Sequence, residues 1–504
     1  MTTAGATDGV THPKGSPLFG RGMLYAVVWS LQIVAATLVS PVLTHVIPRA
    51  EFGALATAIA VHQVVSVLAL LGIDKAVVLQ RSEDGDGRAA RGLVAVGIVI
   101  SVLVTTVFIA TATLWQDALG FGSLHMLLLA IMLWTAPTAA VLVMQALLLT
   151  EDRFRPFAVV GTVAAVGGQI LGLVLLFTVH KDAATYAWGG VIAQFIAMAL
   201  GIVATRPSLR GLVNWPVMKR ALSLGVPMAF AGLSWILLSA GDRVIIQVVQ
   251  GPDEVARYQV AYIVGSVVIT LLTFAHGAWS PHFAALRTDA ERSNLASTSR
   301  DQLYRLLLPT ILGITLAAPS ILRVVAPDTF APGPLTLVAF LVALSAFPVA
   351  AELGSAQILI MQRRGKTIGI LTAVAAVINI GLNLLIVPWI GIVGAAIATI
   401  VAFGGLAFMQ LKALPRELSW SRPSTRLIVG IGLSTTAAAA SILLPQTLIW
   451  NMIRLAAALC CLPWFFWSFN AAQHRSQTLP VESGAREEPS AHPHGPAAQD
   501  GASQ

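Results

Sequence analysis

Asp242 and Arg243 stand side by side in a stretch, Ala221 to Gln250, that carries no other charge. Ionisable groups inside so apolar a segment are costly and usually functional. On a helix the two side chains lie about 100° apart, so they need not pair with each other. The alternative is a structural ion-pair network near one membrane surface. Glu352 lies eleven residues before the nearest downstream cation, Arg363, and just after Pro348, a residue that loosens a helix. Such a carboxylate can carry a proton, or it can be held by a hydrogen bond from a neighbouring helix. His62, next to Gln63, titrates near neutral pH when unperturbed; a neutral, satisfied core histidine is the competing reading. Asp74 and Lys75 close the same run, as an inner gate or as an ordinary end-of-helix pair. Gln32, Gln145, Gln169, Gln194, Asn379 and Asn383 can line a wet cavity or join helices by hydrogen bonds. Arg323 ends a run and can snorkel to the interface. Cys460 and Cys461 are adjacent, a spacing that suits neither a metal nor a redox pair. No Gly-rich loop ends in Lys-Ser or Lys-Thr, so no ATPase is expected. No cofactor and no metal site are expected either.

The elements that must position these residues are membrane helices. Of 504 residues 56% are hydrophobic and 11% charged, and the mean hydropathy is +0.80; soluble domains carry about 25% charge. Fourteen apolar runs reach the roughly 20 residues that span a bilayer: 22–46, 52–73, 92–115, 124–149, 157–179, 184–205, 220–248, 255–279, 303–326, 334–361, 367–388, 391–412, 426–444 and 447–470. The polar segments 1–17 and 473–504 have the composition of disordered tails. No signal-peptide n-region or cleavage site is evident, so the first run is expected to remain a helix.

The formal charge of +8 does not call for nucleic acid. With the N-terminus placed in the cytoplasm, 25 Lys and Arg fall on the cytoplasmic side of the fourteen alternations and 6 on the other. This is the insertion bias of membrane proteins. It predicts a cell inner (cytoplasmic) membrane protein with both termini cytoplasmic. The outward loops are short, with no room for a domain and no paired acids, so an enzyme is not expected.

An internal repeat is expected. Arg49-Ala50-Glu51-Phe52-Gly53 aligns with Pro252-Asp253-Glu254-Val255-Ala256, an offset of 203, and Thr150-Glu151-Asp152-Arg153 with Met361-Gln362-Arg363-Arg364, an offset of 211. Six helices is an even number, so the two copies are parallel, and such repeats place substrate between lobes. The predicted fold is all-α, with two parallel six-helix repeats and two extra C-terminal helices. The N-lobe is assigned to 18–206, the C-lobe to 207–412 and the added pair to 413–472.

Several stretches carry a family resemblance. They are Ala50-Glu51-Phe52-Gly53, Leu71-Gly72-Ile73-Asp74, Leu224-Gly225-Val226-Pro227, Gly241-Asp242-Arg243 and Glu254-Val255-Ala256-Arg257-Tyr258. Asn379 and Asn383 follow, and then Pro388-Trp389-Ile390-Gly391-Ile392-Val393-Gly394-Ala395. In order and spacing, residues 18–412 resemble the O-antigen (Wzx-type) polysaccharide flippases of the multidrug/oligosaccharidyl-lipid/polysaccharide exporter superfamily. One departure is Arg257, in a turn where the family usually has Gly-x-Tyr. The resemblance implies movement of an undecaprenyl-diphosphate-linked oligosaccharide between leaflets, for cell-surface products such as lipopolysaccharide or exopolysaccharide. It implies alternating access, with a polysaccharide polymerase and glycosyltransferases as partners. Arg243 would then meet the diphosphate, a group that a guanidinium can hold by two hydrogen bonds, with Asp242, Gln32, Asn379 and Asn383 lining the cavity. Glu352 and His62 would couple an ion, and Asp74 and Lys75 would gate. A cation-coupled exporter of small drugs on the same fold is the second expectation. A major-facilitator exporter is disfavoured, because Lys75–Arg91 lacks a Gly-x-x-x-Asp-Arg-type loop.

Overall fold

A computed structural model describes residues 17–477, apart from 84, 86, 123, 278–282, 284, 285, 287, 416, 417 and 419. The expected tails at 1–16 and 478–504 lie outside the described residues. Residues 473–477, assigned to the tail, continue the last helix.

Among the described residues there are helices and no strand. The helices are α1 (Pro17–Val46), α2 (Arg49–Leu70), α3 (Arg88–Ala110), α4 (His125–Thr150), α5 (Phe154–Thr178), α6 (Ala183–Thr205), α7 (Trp215–Gln250), α8 (Pro252–Gly277), α9 (Asp289–Val325) and α10 (Pro332–Met361). One continuous element, Gly365–Ala413, turns at Gly391, where φ is 63°. It therefore serves as two helices, α11 (365–390) and α12 (392–413). The added pair is α13 (Thr425–Ile442) and α14 (Leu448–Gln477). Among the described residues, twelve elements are long and apolar enough to cross a membrane. Adding α1 and dividing α11 from α12 gives the fourteen read from the sequence.

Several boundaries differ for physical reasons. The α2 run does not close at Asp74 and Lys75. Leu71 and Gly72 turn through the left-handed region, and an 11-residue extension, Ile73–Glu83, carries on. α9 begins at Asp289, not near 303, because Thr288 and Glu291 form a reciprocal capping box. Its polar first turns project past the apolar span. α10 is interrupted at Ser345, where Pro348 cannot donate to the carbonyl of Leu344. α5 contains a π-turn over Val163–Gly167.

Turns alternate between two faces. Arg49 bonds Asp253 and the Thr329 carbonyl, Gln247 donates to the Leu119 carbonyl, and Arg323 donates to the Gln446 carbonyl. These define the far face. Arg220–Glu83, Arg153 to the Ala204 carbonyl, Arg300 to the Ser421 carbonyl and Arg364 to the Ala413 carbonyl define the face that carries both chain ends. α1 packs chiefly on α5, as α7 packs on α11, and α2 runs against both α7 and α8.

The cores are unequal. Toward the far face one apolar cluster crosses both groups of six helices, joining Val39, Phe52, Leu128 and Val191 to Tyr258, Phe330, Val338 and Ile392. Toward the end-bearing face the clusters divide. One, around Ile73, Val94, Met144 and Val160, draws only Ala221 from the second six among its fully buried members. The other, around Leu272, Leu307, Ala346 and Phe403, contains nothing before α7.

Candidate functional site at the seam between the two six-helix groups

The seam is built from glycines. A Cβ on Gly53 would lie 1.7 Å from the Pro252 carbonyl oxygen, and a Cβ on Gly72 would lie 2.3 Å from that of Gly225. Gly225 is equally tight, its Cβ position 2.3 Å from the Leu71 oxygen. Only glycine lets backbones approach so closely, and Gly72 also needs its positive φ. Stretches that look unconnected in sequence therefore meet in pairs. Ala50–Gly53 meets the start of α8 at the far end of α2, and Leu71–Asp74 meets Leu224–Pro227 at the other. Glu51 also accepts a hydrogen bond from the Ala183 nitrogen, placing a carboxylate at the α6 N-terminus.

Asp242 and Arg243 sit between α7 and α8, next to this seam. Contrary to the expectation that they need not pair, Arg243 Nη1 donates to Asp242 Oδ1 at 2.9 Å. Asp242 Oδ1 also accepts from the Arg243 backbone nitrogen. Its Oδ2 accepts from the Tyr258 hydroxyl at 2.5 Å. Arg243 Nε donates to Gln259 Oε1 at 2.9 Å, and its guanidinium lies 4.2 Å from the Tyr262 ring centroid. Both charges are buried, at 2% and 7% exposure. The pair is closed within protein, its partners drawn from the Gly-Asp-Arg stretch and from the Arg-Tyr turn after α7. Arg257 itself chelates Glu254 and donates to the Phe330 carbonyl, which ties α8 to the α9–α10 turn.

Asn379 and Asn383 lie on the buried side of α11. Asn383 Nδ2 donates to the Asn379 carbonyl and to its Oδ1. Asn379 Nδ2 and Asn383 Oδ1 are buried and keep no protein partner, so this pair has unused hydrogen-bonding capacity. Glu352, on the second segment of α10, accepts from Gln410 Nε2 of α12 at 3.1 Å, and Gln410 Oε1 accepts from Ser355. Among the described residues this carboxylate makes no ion pair.

In the first six helices His62 hydrogen-bonds Thr135 at 3.0 Å and lies beside Trp134, so α2 and α4 satisfy its ring. Gln169 accepts from Tyr186, and Gln194 donates to the Ala164 carbonyl, contacts between α5 and α6. Gln145 is buried against Gly161. Gln32 is exposed on α1. Lys75 pairs with its neighbour Asp74 at 3.1 Å, at the start of the extension and beside the Gly72–Gly225 approach. The structure thus joins Asp242 to Arg243 and Asn379 to Asn383. It leaves His62, Glu352, Gln32 and the Asp74–Lys75 pair as separate sites.

Three features escaped the sequence. Arg49–Asp253, 2.7 Å, is an ion pair between the two groups of six at the far face. Thr44 Oγ1 donates to the Val325 carbonyl across the same line. Glu151, nearly buried, collects Arg81, Arg91 and Arg153 on the other face. The repeat alignment set Arg49 opposite Pro252, one residue from its ion-pair partner, and was the one available signal.

Fourteen helices around such a seam make an all-α polytopic membrane fold. The structure is similar to the lipid II flippase MurJ in an inward closed conformation, with a TM-score of 0.60 and 13% identity, covering 90% of this chain and 100% of that one. It is similar to a multidrug resistance MATE family transporter of the MOP superfamily in an inward-facing conformation, with a TM-score of 0.59 and 15% identity, covering 82% and 98%. A MOP superfamily transporter from Pyrococcus furiosus gives a TM-score of 0.56 at 13% identity, covering 84% and 95%. At these identities the likeness is one of fold. No curated protein matches the sequence. The sequence model of the polysaccharide biosynthesis protein family matches residues 42–332, more than half of the chain, and the chain belongs to that family.

Proposed function

We propose that the protein flips an undecaprenyl-diphosphate-linked oligosaccharide across the cytoplasmic membrane, by alternating access between lobes 18–206 and 207–412, with both termini cytoplasmic. The observation that carries this reading is the unequal core. One apolar cluster joins the two groups at the far face, and separate clusters serve them toward the other face. A molecule built this way is joined through its core at one end and at the other by local contacts, the Gly72–Gly225 approach and the Arg220–Glu83 pair, which a carrier that admits a large hydrophilic head must part. α1 reaches the second six helices near its far end, at Thr44. Its flank is the side on which the lipid tail stays in the bilayer while the glycan passes. Arg243 and the open valences of Asn379 and Asn383 are the groups assigned to the diphosphate and glycan, with Asp242 holding Arg243 between substrates. Glu352, buried with neutral partners, is the group assigned to proton coupling, since an isolated charge there is costly.

The test is leaflet exchange of a fluorescent undecaprenyl-diphosphate oligosaccharide in liposomes holding the purified protein. Wild type is expected to move the lipid and to respond to an imposed pH gradient. Arg243→Ala is expected to be inactive, and Glu352→Gln to lose the response to the gradient. Export of a cationic dye without lipid movement would replace this reading with the small-molecule exporter.

A further inference from the structure

A cavity lies outside the seam, on the end-bearing face between α9 and α13. An open cavity of about 660 Å³ is lined by Arg305 and Leu308 of α9, by Ser424, and by Thr425, Arg426 and Leu427 of α13. Two guanidiniums enter it and no carboxylate does. Among the described residues neither Arg305 nor Arg426 makes an ion pair or a side-chain hydrogen bond. That contrasts with Arg300, five residues earlier on α9, which is held by Asp301, by the Ser421 carbonyl and by the ring of Trp420 at 5.1 Å. Ser424 Oγ already accepts from Leu427 N as the α13 cap, so the helix end is served and the two arginines are what remain for an anion.

We propose that this cavity binds the phosphate headgroup of an anionic glycerophospholipid from the leaflet on the end-bearing side. Position favours a lipid over a soluble phosphate. Leu308 and Leu427, both buried, line the same cavity as the two arginines. Ile428, Val429 and Leu433 of α13 are 54%, 53% and 67% exposed and continue that surface toward the membrane middle, a track for acyl chains. Trp420 marks the interfacial level, where tryptophan is enriched. Basic pockets between membrane helices are suited to anionic headgroups, and each Lys or Arg near the surface adds to the attraction. The bound lipid clamps α13 to α9, reinforcing the bond from Ser434 to the Leu308 carbonyl. The proposal does not depend on the substrate assigned to the seam.

The experiment is native mass spectrometry of the full-length protein, titrated with phosphatidylglycerol, with phosphatidylcholine and with inorganic phosphate. Phosphatidylglycerol should be retained in preference to phosphatidylcholine. Arg305→Gln with Arg426→Gln should weaken that retention by roughly tenfold. The charge-keeping pair Arg305→Lys with Arg426→Lys should retain most of it, and Arg363→Gln with Arg364→Gln, on the same face, should leave it unchanged. Equal retention by the Gln pair, with an unchanged melting temperature in lipid-free detergent, would overturn the proposal. So would displacement of the lipid by millimolar inorganic phosphate, which would make the cavity a soluble-anion site.

Discussion

Arg243 is held by four groups on two helices, Asp242, the Ser239 carbonyl, Gln259 and the Tyr262 ring, and that arrangement sets what its removal does. Truncating one partner of a buried ion pair leaves the other charge uncompensated, at a cost of about 3–5 kcal/mol. Arg243→Ala strands the Asp242 carboxylate, and Asp242→Asn strands the guanidinium, which keeps only Gln259, the Ser239 carbonyl and Tyr262. The double variant Asp242→Asn, Arg243→Gln removes both charges. It is expected to be less destabilised than the sum of the two single changes. Thermal unfolding of the four purified proteins checks this; additive losses would mean that the two charges do not depend on each other. At this scale the sequence singled out the pair. It could not show the pairing, because the partners Tyr258, Gln259 and Tyr262 come from the next helix across a glycine turn.

Between elements, the seam glycines make a sharper statement than the polar residues do. Gly53→Ala and Gly72→Ala place a methyl group against backbone that cannot move aside, and Gly72 is also at φ 68°. Overpacking of this kind costs about 1–3 kcal/mol. Gly241, on α7 beside Asp242, has nothing within 4 Å of its Cβ position. Gly241→Ala should be neutral, or stabilising by up to about 1 kcal/mol through helix propensity. Melting temperatures of the three variants test the contrast, and equal effects would sink the seam as a close-packed contact. The reciprocal cap at Thr288 and Glu291 was legible as a capping-box spacing. Apolar periodicity does not reveal it, because residues 289–302 are polar and the apolar part of α9 begins only near 303.

For the whole molecule, the proposed alternating access requires the far face to break contacts when it opens. Arg49–Asp253 is partly exposed, and such pairs contribute only about 0–1 kcal/mol, so the link can be broken and remade cheaply. Arg49→Cys with Asp253→Cys, joined by a short bismaleimide, should stop lipid exchange in liposomes, and the same protein capped by a monofunctional maleimide should remain active. Undiminished exchange by the cross-linked protein would show that this face does not part during turnover.

Composition alone made this a membrane protein, because so few charges cannot cover so much apolar surface in water. The alternation of cation-rich and cation-poor turns then fixed fourteen helices, an alternation that one missing helix would invert, and the order of loose motifs pointed to the family. What only the tertiary structure decided is which of those motifs touch. Spacing along one chain predicts which face of a helix a residue occupies, but not which helix arrives opposite it. That is why Gly72 met Gly225, and Arg49 met Asp253, only when the chain was folded. The same limit left Asp242 and Arg243 looking separable in sequence, although the arrival of α8 makes them a closed pair.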